Sequence, residues 1–134
     1  MIDLSISVHD GEKGTHVSTS AELDRVIQSA GEEAQACGKL NVILLEAPSG
    51  NQLGMVVGGT DTVITFTYGH HEPPYYASRG AAKFAHPVMT CFLGLAHHTE
   101  FPRTYVVPYA MGLLAAHEFA ETGSLPSSVE WSTV

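Results

Sequence analysis

Histidines are the residues of this sequence with the widest capacity for chemistry, and the chain has eight of them among 134 residues. Four of them stand in two groups, His-His-Glu at residues 70–72 and His-His-Thr-Glu at residues 97–100. A zinc site needs three or four converging ligands. Because alternate residues of an extended segment point the same way, His98 and Glu100 are able to share a metal ion, whereas His97 cannot join them. Neither group contains H-E-x-x-H or cysteines at zinc-site spacing. Surface or interface histidines are therefore the favoured interpretation, and a metal-dependent enzyme is the alternative.

Other catalytic patterns are missing from the sequence. It has neither a G-x-S-x-G nucleophile elbow nor a local signature around Cys37 or Cys91, and both cysteines are expected to pack as small apolar residues. The glycine pair at residues 58–59 lies between two predicted strands, which indicates a hairpin turn and not a phosphate-binding loop. His117 and Glu121 are four residues apart in a predicted helix and are expected to form a side-chain pair. The sequence therefore predicts a protein that is not an enzyme and uses no cofactor.

A cluster of tyrosines favours binding. Residues 69–87 are rich in His, Pro, Tyr and Gly and are the most irregular part of the chain, and binding residues are common in such loops. Tyr68, Tyr75 and Tyr76 lie in or beside this segment, close to Glu72. Tyrosine gives a large contact area at small entropic cost and is favoured at the centres of interfaces. Packing of one or two of these rings in the core is the alternative.

Charge and composition limit the class of partner. Asp and Glu number fourteen against six Lys and Arg, and the formal net charge is −8. Such a charge repels the phosphates of nucleic acid and raises the association rate with a basic partner, although solubility alone also favours a net charge. The hydrophobic fraction of 44% and the charged fraction of 15% are typical of a globular protein. The length predicts a single domain over residues 1–134.

Cysteine usage and hydropathy predict the compartment. Two cysteines are too few for a disulfide scaffold, which indicates a reducing environment. The first residues lack the basic and apolar regions of a secretory signal, and no stretch approaches the ~18 apolar residues that span a bilayer. We therefore expect a cytoplasmic protein that contacts neither a membrane nor nucleic acid directly.

The elements that must position these residues form an α+β pattern. Thr19 and Glu22 make a capping box before a helix at residues 20–36, and Gly38 is expected to end it. A second helix is expected from Pro108, with its end at Gly123. Alternating or continuous apolar residues predict strands at residues 4–8, 15–17, 40–45, 53–57, 63–68, 75–78, 88–95 and 128–134. The prediction is an antiparallel sheet of about five to seven strands packed by two helices.

Short strings spread along most of the chain resemble immunity protein family one of bacterial polymorphic toxin systems. Each string is short and none is catalytic, so their common order and spacing carry the resemblance. They are Asp10-Gly11 and residues 19–24, 76–80, 100–102, 107–108, 118–123, Pro126 and 129–131. The resemblance implies an α+β protein, encoded beside its toxin, that binds and blocks an intracellular effector, frequently a deaminase acting on nucleic acid bases.

Two stretches depart from the family pattern. Residues 109–116 replace a more charged helical run, and Gly112 weakens that helix by up to about 1 kcal/mol relative to Ala. Residues 85–96 are unusually apolar, which indicates either a different toxin surface or a face for self-association. An adaptor that self-associates through residues 88–95 is therefore a further alternative.

The expected partner contacts are residues in or beside the irregular segments, with carboxylates to meet a basic toxin and aromatic or imidazole rings to give contact area. They are Glu46, Asp61, Tyr68, His70, His71, Glu72, Tyr75, Tyr76, His97, His98 and Glu100. Phe119, Val129 and Trp131 are assigned to the core. The predicted function is inhibition of a cognate toxin, by plugging its active-site cleft or covering its nucleic-acid groove.

Overall fold

A computed structural model describes residues 2–80 and 88–134 of the chain. The helices of this part are α1 (Ser20–Cys37) and α2 (Tyr109–Thr122), with a short 3-10 helix at Arg103–Tyr105. The strands are β1 (Leu4–Ser7), β2 (Thr15–Val17), β3 (Asn41–Glu46), β4 (Gln52–Val57), β5 (Asp61–Thr62), β6 (Ile64–Thr67), β7 (Tyr75–Ser78), β8 (Val88–Leu93), β9 (His97–Pro102), β10 (Val107–Pro108) and β11 (Trp131–Thr133). The predicted α+β class is confirmed.

One large sheet organises the described residues. Its main path runs β11-β7-β6-β4-β3-β1-β2, with β8 and β9 attached beside β3. It has nine strands, more than the five to seven expected. The predicted antiparallel meander is confirmed in the pairing of β3 with β4, β4 with β6 and β6 with β7. Only β3 and β8, among the pairs that the structure describes in this sheet, run parallel. β5 and β10 form a separate two-stranded pair.

Helix α1 forms where the capping box predicts it. The Thr19 hydroxyl accepts the backbone N–H of Glu22 at 3.1 Å, which satisfies one of the free donors of the first turn. Leu23 and Ile27 recur on one face and are fully buried against the sheet. Gly38 ends the helix with φ 68, a left-handed conformation that favours glycine.

Helix α2 packs beside α1 on the same face of the sheet. Phe119 lies on the buried side of α2, and its ring makes an edge-to-face contact with the ring of Phe66 in β6. Gly112 is buried as well, and a Cβ at this position would collide with the side chain of Thr62. The glycine is therefore a packing requirement in addition to the helical weakness expected from the sequence. Gly123 ends the helix with φ 67, as predicted.

The sheet buries side chains on both of its faces. The main core lies between the sheet and the two helices and includes Ile43, Phe66 and Phe119. A second core includes Val42 and Val56, which alternate with main-core residues along their strands and so lie on the opposite face. The assignment of Phe119, Val129 and Trp131 to the core agrees with their contacts, since all three pack in or against the main core.

The hairpin of β8 and β9 covers part of the second face. Met89 and Cys91 of β8 pack into the second core with Phe101 of β9. These contacts explain the apolar character of residues 88–93, because the inward side chains are core residues of this chain. The rest of the apolar segment 85–96 includes residues 85–87, which lie outside the described residues. Strand β9 was not predicted, because its sequence HHTEFP has no alternation of apolar and polar residues.

Candidate partner-binding groove

Strands β6 and β7 bury one face and leave the other open. Phe66 and Tyr76 are opposite each other across the two strands and both pack on the main-core side. The alternate pair of Thr67 and Tyr75 therefore lies on the other face. The described residues of α1 and α2 pack on the main-core side and not on this face, and the exposed fraction of Tyr75 is 37%. Tyr75 is thus a large aromatic side chain in contact with solvent on an otherwise packed sheet.

Strand β9 forms the opposite wall of a groove over this open face. We call it the sheet groove, and its volume is about 340 Å³. Among the described residues that line it, Glu100 is the only one with a charged side chain. The lining residues are Thr65, Phe66, Thr67, Tyr75, Tyr76, Ala77, Glu100, Phe101, Pro102, Tyr105 and Val134. The sheet groove therefore combines aromatic walls, a floor of small side chains and one carboxylate.

Two buried polar side chains hold the walls in place. Asn41 is fully buried, accepts the backbone N–H of Leu95 at 2.9 Å and donates to the carbonyl of Val8 at 3.0 Å, so it fixes the turn of the β8–β9 hairpin. Ser78 donates its hydroxyl to the carbonyl of Tyr105 at 2.7 Å and accepts the N–H of Ile64 at 3.0 Å. The Tyr105 wall is thereby tied to the floor of the sheet groove.

The loop of residues 69–74 stands at one end of the sheet groove and is internally hydrogen-bonded. His70 Nδ1 accepts the backbone N–H of Glu72 at 3.0 Å, and the His70 ring stacks on Tyr68. The hydroxyl of Tyr75 donates to the carbonyl of His71 at 2.9 Å. The side chains of His70, His71 and Glu72 are exposed on a defined loop. Three of the expected contact residues are therefore free to touch a partner.

The structure places the eleven expected contact residues in different surroundings, and only some of them line the sheet groove. Tyr75, Tyr76 and Glu100 line the sheet groove. Tyr68 and Tyr76 also pack against the main core, which is the alternative that the sequence left open for one or two of the tyrosines. The rings of both contact Phe66. Tyr76 is therefore needed for packing, and Tyr75 is the more accessible ring.

The histidines of β9 are exposed and each lies near a carboxylate, but only that of His97 is within hydrogen-bonding distance. His97 Nε2 lies 3.0 Å from Asp10 Oδ2, and His98 Nε2 lies 3.8 Å from Glu100 Oε2. The side-by-side placement of His98 and Glu100 agrees with the alternation expected of an extended segment. No group of three His, Cys, Asp or Glu in residues 2–80 and 88–134 is arranged to hold a metal ion.

Glu46 and Asp61 lie outside the described lining of the sheet groove. Glu46 is exposed at the end of β3, where its carboxylate accepts the side-chain N–H of Gln52 at 2.8 Å. Asp61 belongs to β5 and is paired in register with Pro108 of β10. Their predicted roles as contacts require a partner that extends beyond the sheet groove.

The two cysteines differ in accessibility. Cys91 is buried in the second core, and this burial raises the pKa of its thiol to about 11. The thiol therefore stays protonated at neutral pH and packs as a small apolar group, as expected. Cys37 is exposed near the end of α1. The prediction of a packed side chain is wrong for Cys37, because the outward face of α1 places it in solvent.

A second groove, which the sequence did not reveal, runs between α1 and the start of α2. We call it the helix groove, and its volume is about 570 Å³. Asp24, Gln28 and Glu32 line one side at four-residue spacing, and Tyr109 and Leu113 line the other. The polar i, i+4, i+8 stripe, with a carboxylate at each end, is the signal that the sequence contains. Burial raises the pKa of the Tyr109 hydroxyl, and the Asp24 carboxylate adds to this effect.

His117 joins the two helices next to the helix groove. Its Nε2 lies 2.6 Å from Asp24 Oδ1, and its Nδ1 lies 3.3 Å from the hydroxyl of Ser20. The sequence predicted only a pair with Glu121 within α2. The contact with Asp24 could not be expected from spacing, because it depends on how the two helices pack.

An exposed aromatic groove with a polar rim has the composition typical of protein–protein interfaces. The family model of immunity protein Imm1 matches residues 11–133, and the chain belongs to this family. The family resemblance found in the sequence is thereby confirmed. No curated protein matches the chain. Neither helix of the described residues is long and apolar enough to cross a bilayer.

Proposed function

We propose that this protein is an immunity protein that binds a cognate bacterial toxin in the cytoplasm and keeps it inactive. The observation that carries the proposal is the Imm1 family match over residues 11–133. The finer part of the proposal is that the toxin is a deaminase acting on nucleic acid bases, and this rests on the family resemblance. Inhibition then occurs by occlusion of the toxin's active site or substrate groove and needs no catalysis by the immunity protein.

Charge supports a toxin that handles nucleic acid. An enzyme with a nucleic-acid substrate carries basic residues that contact phosphates. A partner with a net charge of −8 is steered toward such a surface and presents carboxylates that compete with the phosphates. The acidic protein therefore repels the substrate and attracts the enzyme.

The sheet groove and the adjacent loop are the proposed toxin-binding surface. Tyr75 and Glu100 line the groove, and His70, His71 and Glu72 are exposed on the neighbouring loop. Interfaces usually have a buried aromatic centre and a polar rim. Tyr75 is suited to the centre, and the loop side chains are suited to the rim.

Co-expression tests the proposal directly. The toxin domain encoded beside this gene is expressed in a bacterial host with or without the protein, and growth is followed together with the content of deaminated bases in the host nucleic acid. We expect the toxin alone to stop growth and raise the deaminated bases, and the protein to restore both. A toxin that still kills when the protein is in excess would refute the immunity function. Toxicity without any rise in deaminated bases would refute only the deaminase assignment.

A further inference from the structure

We propose that the sheet groove binds an arginine side chain of the partner. This inference rests on the proposed function only for the identity of the partner as a toxin. Three observations support it: the aromatic walls, the one charged side chain among the described lining residues and the small floor residues of the groove. Each points to a planar, cationic side chain with an apolar stem.

The walls of the groove suit a guanidinium plane. Tyr75 has an exposed fraction of 37%, and Phe101 and Tyr105 are half-buried on the opposite side. Guanidinium groups stack on aromatic faces, combining cation–π attraction with contact between planes. The backbone that carries the three rings is held by strand pairing at Tyr75 and Phe101 and by the Ser78 hydrogen bond to the Tyr105 carbonyl, so little backbone ordering is needed when a side chain enters.

The carboxylate of Glu100 supplies the charge partner. It is the only charged side chain among the described lining residues, so no described Lys or Arg of the groove competes for it. Its side chain is 50% exposed, and among the described residues His98 is the basic group recorded beside it, with Nε2 3.8 Å from Oε2 and so beyond hydrogen-bonding distance. Because Glu100 alternates with Phe101 along β9, its exposed carboxylate stands at the rim of the groove, where it is available to accept two parallel N–H groups from a guanidinium.

The floor of the groove distinguishes arginine from lysine. Thr65, Thr67 and Ala77 are small and leave room beneath the aromatic walls for a methylene stem. Lysine can place its stem there as well, but its compact ammonium is strongly hydrated and has no plane to stack on the rings. The helix groove is the contrasting case, because it has two carboxylates and one aromatic ring among its described lining residues. The helix groove therefore offers negative charge but no pair of aromatic walls on which a guanidinium could stack.

Capture of an arginine would account for inhibition. Arginine is the residue best matched to phosphate, because its fork of N–H groups pairs with two phosphate oxygens. Glu100 offers the same pair of oxygens. An arginine held in the sheet groove is therefore no longer able to hold the toxin's nucleic-acid substrate.

A peptide titration tests the site without the toxin. The probes are acetyl-Ala-Arg-Ala-amide and its lysine counterpart, added to the isotope-labelled protein, with amide chemical shifts as the readout. We expect saturable shifts for Thr67, Tyr75 and Glu100 with the arginine peptide, and about tenfold weaker binding by the lysine peptide or by Glu100→Gln. The control Glu32→Gln, which removes a carboxylate from the helix groove, should bind like the wild type. Equal binding of both peptides, shifts confined to the helix groove or no saturable shift would each overturn the proposal.

Affinity for the toxin tests the same residue in the complex. Glu100→Gln should raise the dissociation constant of the complex with the toxin domain roughly tenfold to hundredfold, because a charge-assisted hydrogen bond is lost. Glu32→Gln removes the same charge and should change it less than about threefold. Equal losses for both variants would show that only total charge matters and would overturn the proposal. A wild-type protein that does not bind the toxin would refute the proposed function, while the peptide titration would still decide whether the arginine site exists.

Discussion

Glu118 ties helix α2 to the segment that leads into β11. Its carboxylate accepts the backbone N–H of Ser127 at 2.5 Å and that of Ser128 at 3.1 Å. These hydrogen bonds hold the pKa of the Glu118 carboxyl below its ordinary value of 4.5. The carboxylate therefore fixes the chain just before Val129 and Trp131, whose side chains complete the main core.

Replacement of Glu118 should weaken this link in a pH-dependent way. Because folding lowers the pKa of Glu118, its contribution to stability is present above pH 4.5 and is lost as pH falls through the lowered pKa. Glu118→Gln should lower the free energy of unfolding at pH 7 and show a smaller further loss on acidification than the wild type. Urea unfolding at several pH values measures both. Glu130→Gln, an exposed carboxylate two residues after Ser128, is the control, and an equal pH response in both variants would contradict the assignment.

His9 makes the opposite kind of pH-dependent link. The carboxylate of Glu12, 2.9 Å from Nδ1, and that of Glu33, 2.7 Å from Nε2, raise the pKa of His9 above 6.5. The contribution of His9 to folding stability is therefore present below pH 6.5 and is lost as pH rises through the raised pKa. His9→Asn should reduce the loss of unfolding free energy that the wild type shows between pH 6 and pH 8. His71→Asn is the control, and an unchanged pH profile in His9→Asn would count against the link.

Prediction from sequence reached some of these residues and missed others. Tyr75 and Glu100 could be proposed because an aromatic ring and a carboxylate in or near an irregular segment are typical of contacts. The structure then showed that Tyr68 and Tyr76 face the core, which depends on strand register and cannot be obtained from residue type. Asn41 and Ser78 were missed, because single polar residues inside strands give no sign of the loop that they will hold.

At the scale of elements, the two helices were predicted well because their ends have local signals. The capping box of Thr19 and Glu22 and the glycines 38 and 123 determine the bounds without tertiary information. Strand β9 was missed because it gains its position from pairing with β8 and from Phe101 in the second core. The sheet groove, which needs β9 as a wall, could therefore not be derived from the sequence.

Two helical glycines should respond in opposite ways to alanine. A Cβ at Gly31 meets only ordinary contacts, 3.8 Å from the backbone of Gly58, whereas a Cβ at Gly112 collides with buried Thr62. Gly31→Ala should stabilise the protein by up to about 1 kcal/mol through helix propensity. Gly112→Ala should destabilise it by about 1–2 kcal/mol, because overpacking exceeds the same gain. Denaturant unfolding measures the change in the free energy of unfolding for each variant. A Gly112→Ala protein that is more stable than the wild type would show that α2 does not pack as described.

At the scale of the whole molecule, the acidic surface and the family agree. The net charge of −8 alone was equally consistent with solubility. Membership in the Imm1 family implies a partner protein, and the negative charge is able to attract a basic one. The two grooves lie on opposite faces of the sheet, so a compact partner that covers the sheet groove leaves the helix groove open.

Salt should act on the rate of association with the toxin. Because the attraction between an acidic protein and a basic groove is long-range, raising ionic strength from about 0.05 M to 0.5 M should lower the association rate constant at least several-fold. The dissociation rate constant should change much less. Surface plasmon resonance or stopped-flow fluorescence separates the two constants. An association rate that is insensitive to salt would contradict electrostatic steering.

Inhibition of the purified toxin is the most direct test of the central claim that this protein is an immunity protein. The proposed partner, a toxin domain to be sought among the neighbouring genes, is assayed on a nucleic-acid substrate while the protein is added in increasing amounts. The account predicts that activity falls in proportion to the added protein and is abolished when the two are equimolar, with a complex of the two chains in solution. Full toxin activity in the presence of excess folded protein would contradict it.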